Sequence, residues 1–211
     1  TNSTQSTISA TITVTPSYEN NGIICDGNAE TFTITVNPSP EMDNVEDVVL
    51  CNNEISSIIE FTTPNTDGNT TYTWTNDNTS IGLSSSGNGD IPSFTAINLN
   101  PISEVATITV TPTYENNGVV CIGDPQTFSI SVLSEIGITG TTVDALDCND
   151  PNSGNINITV TGGSGVYDFL WSNGAITEDL NNIGPGDYSV TVTDSEGCIA
   201  ISETFNIFRQ E

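Results

Sequence analysis

Residues 10–36 read ATITVTPSYENNGIICDGNAETFTITV, and residues 106–132 read ATITVTPTYENNGVVCIGDPQTFSISV. At an offset of 96, 18 of these 27 positions are identical, so the repeat is the first feature to interpret. Within each copy the pattern has period two. Ala10, Ile12 and Val14 alternate with Thr11, Thr13 and Thr15; Phe32, Ile34 and Val36 alternate with Thr33 and Thr35. One apolar and one polar face describe a half-buried antiparallel strand. Asn20-Asn21-Gly22 and Asn116-Asn117-Gly118 lie between the apolar runs, as turn chemistry requires.

Outward from this stretch the same alternation recurs. Ile156, Ile158 and Val160 alternate with Asn157 and Thr159, and Tyr188, Val190 and Val192 with Ser189, Thr191 and Thr193. Gly87-Asn88-Gly89-Asp90 and Gly184-Pro185-Gly186-Asp187 punctuate further strands, and no segment carries a 3.6-residue stripe. The prediction is an all-β chain of tandem immunoglobulin-like β-sandwich modules forming a rod. Residues 1–40 read as the second half of a module, residues 41–133 as a complete one, and residues 134–211 as a third unit of different character. Asn37-Pro38-Ser39-Pro40 separates the first two, its prolines interrupting strand pairing and stiffening the link. The Ser131–Ile138 junction lacks proline and predicts a close, stiff contact between the last two units. The chain opens Thr1-Asn2-Ser3 without Met or a signal-like segment, which reads as a stretch from inside a longer protein.

Composition excludes several functions. The chain has 211 residues, one Lys or Arg, 27 Asp or Glu and no His, for a formal charge of −26. Arg209 is the sole cation. Phosphates therefore have no basic surface to meet, which argues against nucleic acid and against anionic lipid. No run of 18 apolar residues occurs, so no membrane-inserting helix is expected. With no His and no Lys, the usual general base and the Schiff-base nucleophile are both absent. Thr (32), Asn (25) and Ser (22) dominate, as exposed sheet faces and turns demand. Gly162-Gly163-Ser164-Gly165-Val166 misses the nucleophile-elbow pattern at its last position. No constellation meets the geometric requirements of a catalytic site, and the chain reads as non-enzymatic.

Trp74, Trp171 and Tyr188 are expected in the core. Each Trp falls near the third strand of its unit, and Tyr188 follows a Gly-Pro-Gly turn where a tyrosine corner belongs. The five cysteines read as a disulfide framework, since no CxxC pair or histidine supports zinc. Cys51 follows the first strand of the complete unit and Cys121 lies in its last hairpin. Cys148 and Cys198 occupy the same relative places in the third unit. The expected bonds are Cys51–Cys121 and Cys148–Cys198, each closing a loop worth about 4 kcal/mol in chain entropy. Cys25 matches Cys121 by repeat and is expected to stand unpaired. Disulfides imply an extracytoplasmic address. No cofactor is expected; calcium is the one candidate ion, with Asp43, Glu46 and Asp47 after the proline link and Asp144, Asp147 and Asp150 in the third unit as its carboxylates. The competing reading is acidity that keeps copies soluble and apart.

The third unit resembles the SprB repeat. The family pattern maps onto Cys148, Gly154, Ile156, Ile158, Val160, Gly162, Gly163, Trp171, Ser172, Asn173, Gly174, Gly186, Tyr188, Val190, Val192, Asp194, Gly197 and Cys198. Val166 stands where the family usually has Pro. The complete unit, with CNNE, YTWTNDN, GNGDIPSF and ATITVTPTYENNG, resembles the PKD-like modules of the same giant proteins. The resemblance implies a mobile adhesin on the surface of a gliding bacterium of the Bacteroidetes, exported by the type IX secretion system. Its implied partners are neighbouring modules of the same chain, the gliding and secretion machinery, and a surface or polysaccharide ligand. A spacer or carbohydrate-binding module of a secreted polysaccharide-degrading enzyme is the alternative.

Overall fold

The computed structural model describes residues 2–145 and 152–209. Among the described residues the regular elements are β-strands, apart from one 3-10 turn at Thr79–Ile81. Four strands come first: β1 (Ile8–Val14), β2 (Ser17–Asn20), β3 (Ile23–Asp26) and β4 (Glu30–Val36). β1 pairs antiparallel with β4, and β2 with β3. Asn21 and Gly22 close the β2–β3 hairpin at φ 50° and 77°, the left-handed pair a two-residue type I′ turn needs.

The complete unit is built on a six-stranded sheet. Its strands are β5 (Val48–Leu50), β6 (Asn69–Asn76), β7 (Ser86–Asn88), β8 (Glu104–Asn116), β9 (Val119–Ile122) and β10 (Gln126–Val132). The order is β5-β10-β8-β6-β7, with β9 added to the far half of β8. β5 runs parallel to β10, which places Leu50 beside Val132. Pro112 lies where β8 changes partner from β10 to β9, and its carbonyl accepts from Gly123 N–H at 2.9 Å. Every second residue of β6, β8 and β10 is buried, so period two places Tyr72, Trp74, Ile108, Val110, Phe128 and Ile130 in one core. The second layer is an irregular ribbon. Residues 53–59 and 91–96 pair through backbone bonds such as Ser56 N–H to Phe94 O (2.9 Å) and Ile59 N–H to Ile91 O (3.0 Å). Phe61, Ile91 and Ala96 cover the sheet from this layer. Gly87 has no side chain because the Trp74 ring lies where its Cβ would be, 2.3 Å from the nearest ring carbon.

The first four strands reproduce this geometry residue by residue. Ile12 faces Phe32 as Ile108 faces Phe128, and Tyr18 faces Cys25 as Tyr114 faces Cys121. Gly27 N–H donates to Pro16 O at 2.8 Å, the counterpart of the Gly123 bond. The environment differs. Phe32 is 53% exposed and Ile34 48%, against 6% for Phe128 and 0% for Ile130.

The third unit faces two three-stranded sheets toward each other. One holds β11 (Gly137–Val143), β12 (Gly154–Thr161) and β14 (Leu180–Ile183), in the order β11-β12-β14. The other holds β13 (Tyr167–Trp171), β16 (Val190–Asp194) and β17 (Ile199–Ile201), in the order β13-β16-β17. A further pair joins β15 (Gly186–Tyr188) to β18 (Phe205–Ile207). Ile156 and Ile158 from the first sheet meet Trp171, Val190 and Val192 from the second.

Trp74 and Trp171 are both buried, and Trp171 Nε1 donates to Thr177 O at 2.8 Å. Tyr188 packs at the edge of the third unit's core and donates its hydroxyl proton to Gly184 O four residues back, at 3.0 Å. That is the bond a tyrosine corner makes.

The cysteines depart from expectation. Cys51 bonds to Cys198, so neither Cys51–Cys121 nor Cys148–Cys198 forms. Cys25 and Cys121 are free thiols, and Cys148 lies outside the described residues. The reason is strand direction. β5 carries Cys51 to the Val132 end of the sheet, whereas Cys121 pairs with Tyr114 near the opposite end of β8. Glu104, opposite Val132, is ten residues from Tyr114. At about 3.4 Å per residue that is roughly 30 Å, far beyond the ~7 Å that a disulfide spans between Cα atoms.

Candidate functional site

The strongest candidate is the seam between the complete unit and the third unit, where the Cys51–Cys198 disulfide crosses. From the complete unit, the parallel β5–β10 pairing sets Cys51 at the exit of the module, and Leu133 N–H donates to Leu50 O at 2.9 Å. Glu54 Oε2 accepts from Cys51 N–H at 2.8 Å and holds the turn that follows. Asn52 Oδ1 accepts from Asn98 N–H (2.8 Å), tying the cysteine-bearing turn to the loop before β8.

From the third unit, Cys198 ends a tight turn after β16. Gly197 takes φ 87°, and its N–H donates to Asp194 O at 3.0 Å. Asp194 is buried, 4% exposed, and its carboxylate organises the whole turn. Oδ1 accepts from Glu196 N–H (3.0 Å) and Cys198 N–H (2.9 Å), and Oδ2 accepts from Ser164 N–H (2.8 Å). One side chain therefore fixes Cys198 and the Gly162–Ser164 loop together. That loop grips the connecting segment: Gly163 N–H donates to Ser134 O at 3.0 Å, and a Cβ on Gly162 would lie 2.0 Å from Glu135 O. Leu133 and Ile136 are buried in the third unit's core, to which Cys51 also packs. The seam is thus covalent, hydrogen-bonded and apolar at once, as the proline-free junction predicts.

A buried asparagine anchors each connecting segment. Asn98 Nδ2 donates to Ile102 O (2.8 Å) and Val132 O (2.9 Å), and its Oδ1 accepts from Asn100 N–H (2.8 Å). Asn2, 96 residues earlier, makes the same three bonds to Ser6 O (2.7 Å), Val36 O (3.0 Å) and Thr4 N–H (2.9 Å). The structural repeat therefore begins at residue 2, eight residues before the matching sequence. Sequence reading missed Asn98 and Asp194 as organisers; the Asn2/Asn98 identity at the repeat offset was the available signal.

Among the described residues the calcium candidates do not converge. Asp43 accepts from Thr62 Oγ1 (2.6 Å), Glu46 from Asn44 Nδ2 (2.7 Å), Asp47 from Ser129 N–H (2.6 Å) and Asp144 from Phe208 N–H (2.9 Å). Among the described residues no three acidic or sulfur side chains gather as a metal site would require, and Asp147 and Asp150 lie outside them. The Ser129 backbone N–H, then its hydroxyl, holds the Asp47 carboxyl below its ordinary pKa. Asn78, then Asn100, does the same for Glu104. Both act as acceptors that pin loops to strand ends. No helix among the described residues is long and apolar enough to cross a membrane.

Against known families, a match falls in the third unit. Residues 139–176 match the SprB repeat. The matched SprB segment contains β12, the Gly162–Ser164 loop and β13 with Trp171, so it includes one wall of the seam. No curated protein matches the chain. Among solved structures the chain is similar to the C-terminal 282-residue fragment of intimin, crystallised with the intimin-binding domain of the translocated intimin receptor. Identity there is 15%, over 66% of this chain and 52% of that one, with a TM-score of 0.41. The chain thus spans about half the length of that fragment. It is also similar to extracellular domains 3–5 of Drosophila OTK, at 12% identity over 87% of this chain and 69% of that one, TM-score 0.42. The human desmocollin-1 ectodomain matches at 13% identity over 86% and 40%, TM-score 0.25.

Proposed function

We propose that this chain is a non-enzymatic, load-bearing stretch of a giant cell-surface adhesin of gliding bacteria. The SprB repeat points to a segment of a cell-surface adhesin, and a disulfide fits an extracellular address. The observation that carries the mechanical reading is the Cys51–Cys198 bond. It joins the exit of one module to the near end of the next, where a thread of modules under tension is otherwise held only by its connecting segment.

In this reading residues 1–40 are the second half of a PKD-like module, residues 41–133 a complete one, and residues 134–211 the SprB-repeat module. The exposed apolar side chains of β1 and β4 favour it, since their counterparts in β8 and β10 are buried under the ribbon. The anionic surface keeps neighbouring filaments apart by repulsion. The partners are neighbouring modules, the gliding machinery and a substratum whose chemistry the adhesin grips elsewhere.

Beads coated with antibody against this fragment, placed on living source cells, test the proposal. Travel along the cell surface is the expected result. Beads that bind and stay put would sink the gliding role and leave a static filament.

A further inference from the structure

We infer that Cys121 is the receiving half of a second inter-module disulfide, made with a cysteine placed as Cys51 is in a preceding copy of the same module. The inference rests on the reading of the chain as one stretch of a longer array and extends the Cys51–Cys198 bond into a repeating covalent ladder.

The first support is the equivalence of Cys121 and Cys198. Trp74 faces Val110 and Trp171 faces Val190 across the corresponding strand pairs. Four residues further along each partner strand, Tyr114 faces Cys121, and Asp194 both receives and returns hydrogen bonds with Cys198. The two cysteines thus occupy one position in two modules of different sequence.

The second support is the seam beside each. Cys198 lies with Cys51 and the connecting residues Ser134–Ile136 around a cleft of about 330 Å³. Cys121 lies with Pro38, Ser39 and Pro40, the residues 96 positions earlier, around a cleft of about 710 Å³. The burial of the two connecting segments matches: positions 38 and 40 are buried and 39 exposed, as are 134, 136 and 135. The Cys51–Asn53 turn closes the smaller cleft.

The third support is the anchor. The Asn98 N–H meets Asn52, next to Cys51, and Asn2 repeats the Asn98 bonding at the upstream seam. A turn like Cys51–Asn53, carried by a preceding copy, would meet Asn2 and Cys121 together. By the same rule Cys25, which stands where Cys121 stands one repeat earlier, belongs to the seam before that.

Closing the bond removes two protons and two electrons from the paired thiols. Thiol–disulfide exchange with an oxidised dithiol carrier supplies the balance: the carrier's S–S bond is reduced to two thiols as the inter-module S–S bond forms.

The native surface protein, alkylated with N-ethylmaleimide before extraction and digested without reductant, is the test. The expected map links the peptide holding Cys121 to one holding the opening cysteine of a preceding module. Alkylated Cys121, or Cys121 linked to Cys25, would overturn the inference whether or not beads glide, so the two readings fail separately. A second measurement uses the full chain with residues 37–132 duplicated in place. The duplication adds two cysteines. If the ladder holds it adds no alkylatable thiol, because the first copy's Cys51 takes the second copy's Cys121. Two added thiols would refute it. Replacing the second copy's Cys121→Ser frees the first copy's Cys51, so the bond predicts one more labelled cysteine than in the duplicated chain, and one fewer would refute it.

Discussion

At the residue scale, Asp194 carries more of the seam than its place in a Thr-rich strand suggests. It is buried without a cation, and three backbone N–H groups replace the water it loses. Truncation leaves those three donors unsatisfied. Asp194→Ala should therefore cost about 2–3 kcal/mol, read as a lower thermal midpoint, and should raise the fraction of Cys198 that alkylates. An unchanged midpoint would show that water fills the pocket at little cost. The sequence offered Asp194 only as a position in the SprB pattern. Its role depends on Ser164, 30 residues away, and no local spacing announces that contact. Trp74 and Trp171 were legible beforehand because a large ring on a period-two strand has few places to go except the core.

At the scale of elements, acidic side chains clamp loops onto strands. Asp47 takes the Ser129 N–H at the start of the β5–β10 pairing, and Glu104 takes Asn78 and Asn100 at the start of β8. A carboxyl whose folded pKa is lowered stabilises the fold while it is ionised. That contribution is present above the ordinary carboxylate value of about 4 and is lost as pH falls through the folded value. Denaturant midpoints of the parent chain should therefore fall relative to Asp47→Asn below about pH 4 and run parallel above pH ~5. The comparison with the variant matters because acid also relieves the repulsion of a chain at −26, which works in the opposite direction. Parallel curves throughout would remove the clamp. The strands themselves were legible as alternation. The ribbon of residues 53–59 and 91–96 was not, because Pro92 and scattered polar residues break its alternation and its pairing exists only over the sheet it covers.

At the scale of the whole molecule, the Cys51–Cys198 bond encloses 147 residues of sequence separation, covering most of two modules. Tension applied through the chain ends passes across the sulfurs, and everything between them is shielded. Pulling the oxidised chain should extend only the residues outside this loop. Pulling it with reductant should release about 500 Å more contour, 147 residues at about 3.4 Å each. Equal contour in both states would place the load elsewhere. In the chain-entropy treatment a loop of this length is worth about 5 kcal/mol, which strain lowers in practice. Cys51→Ser should accordingly melt earlier and show the long extension without reductant.

The amino-acid order alone determined that the chain is all-β and that residues 10–36 recur 96 positions later. Those properties live in alternation, turn chemistry and identity at fixed offset, all of which are local or self-referential. Which cysteines join was decided only in three dimensions. Counting loops favours a bond within each module, but β5 runs parallel to β10 and delivers Cys51 to the far end from Cys121. Strand direction is a property of the assembled sheet, and it turned an expected staple within a module into a rivet between two.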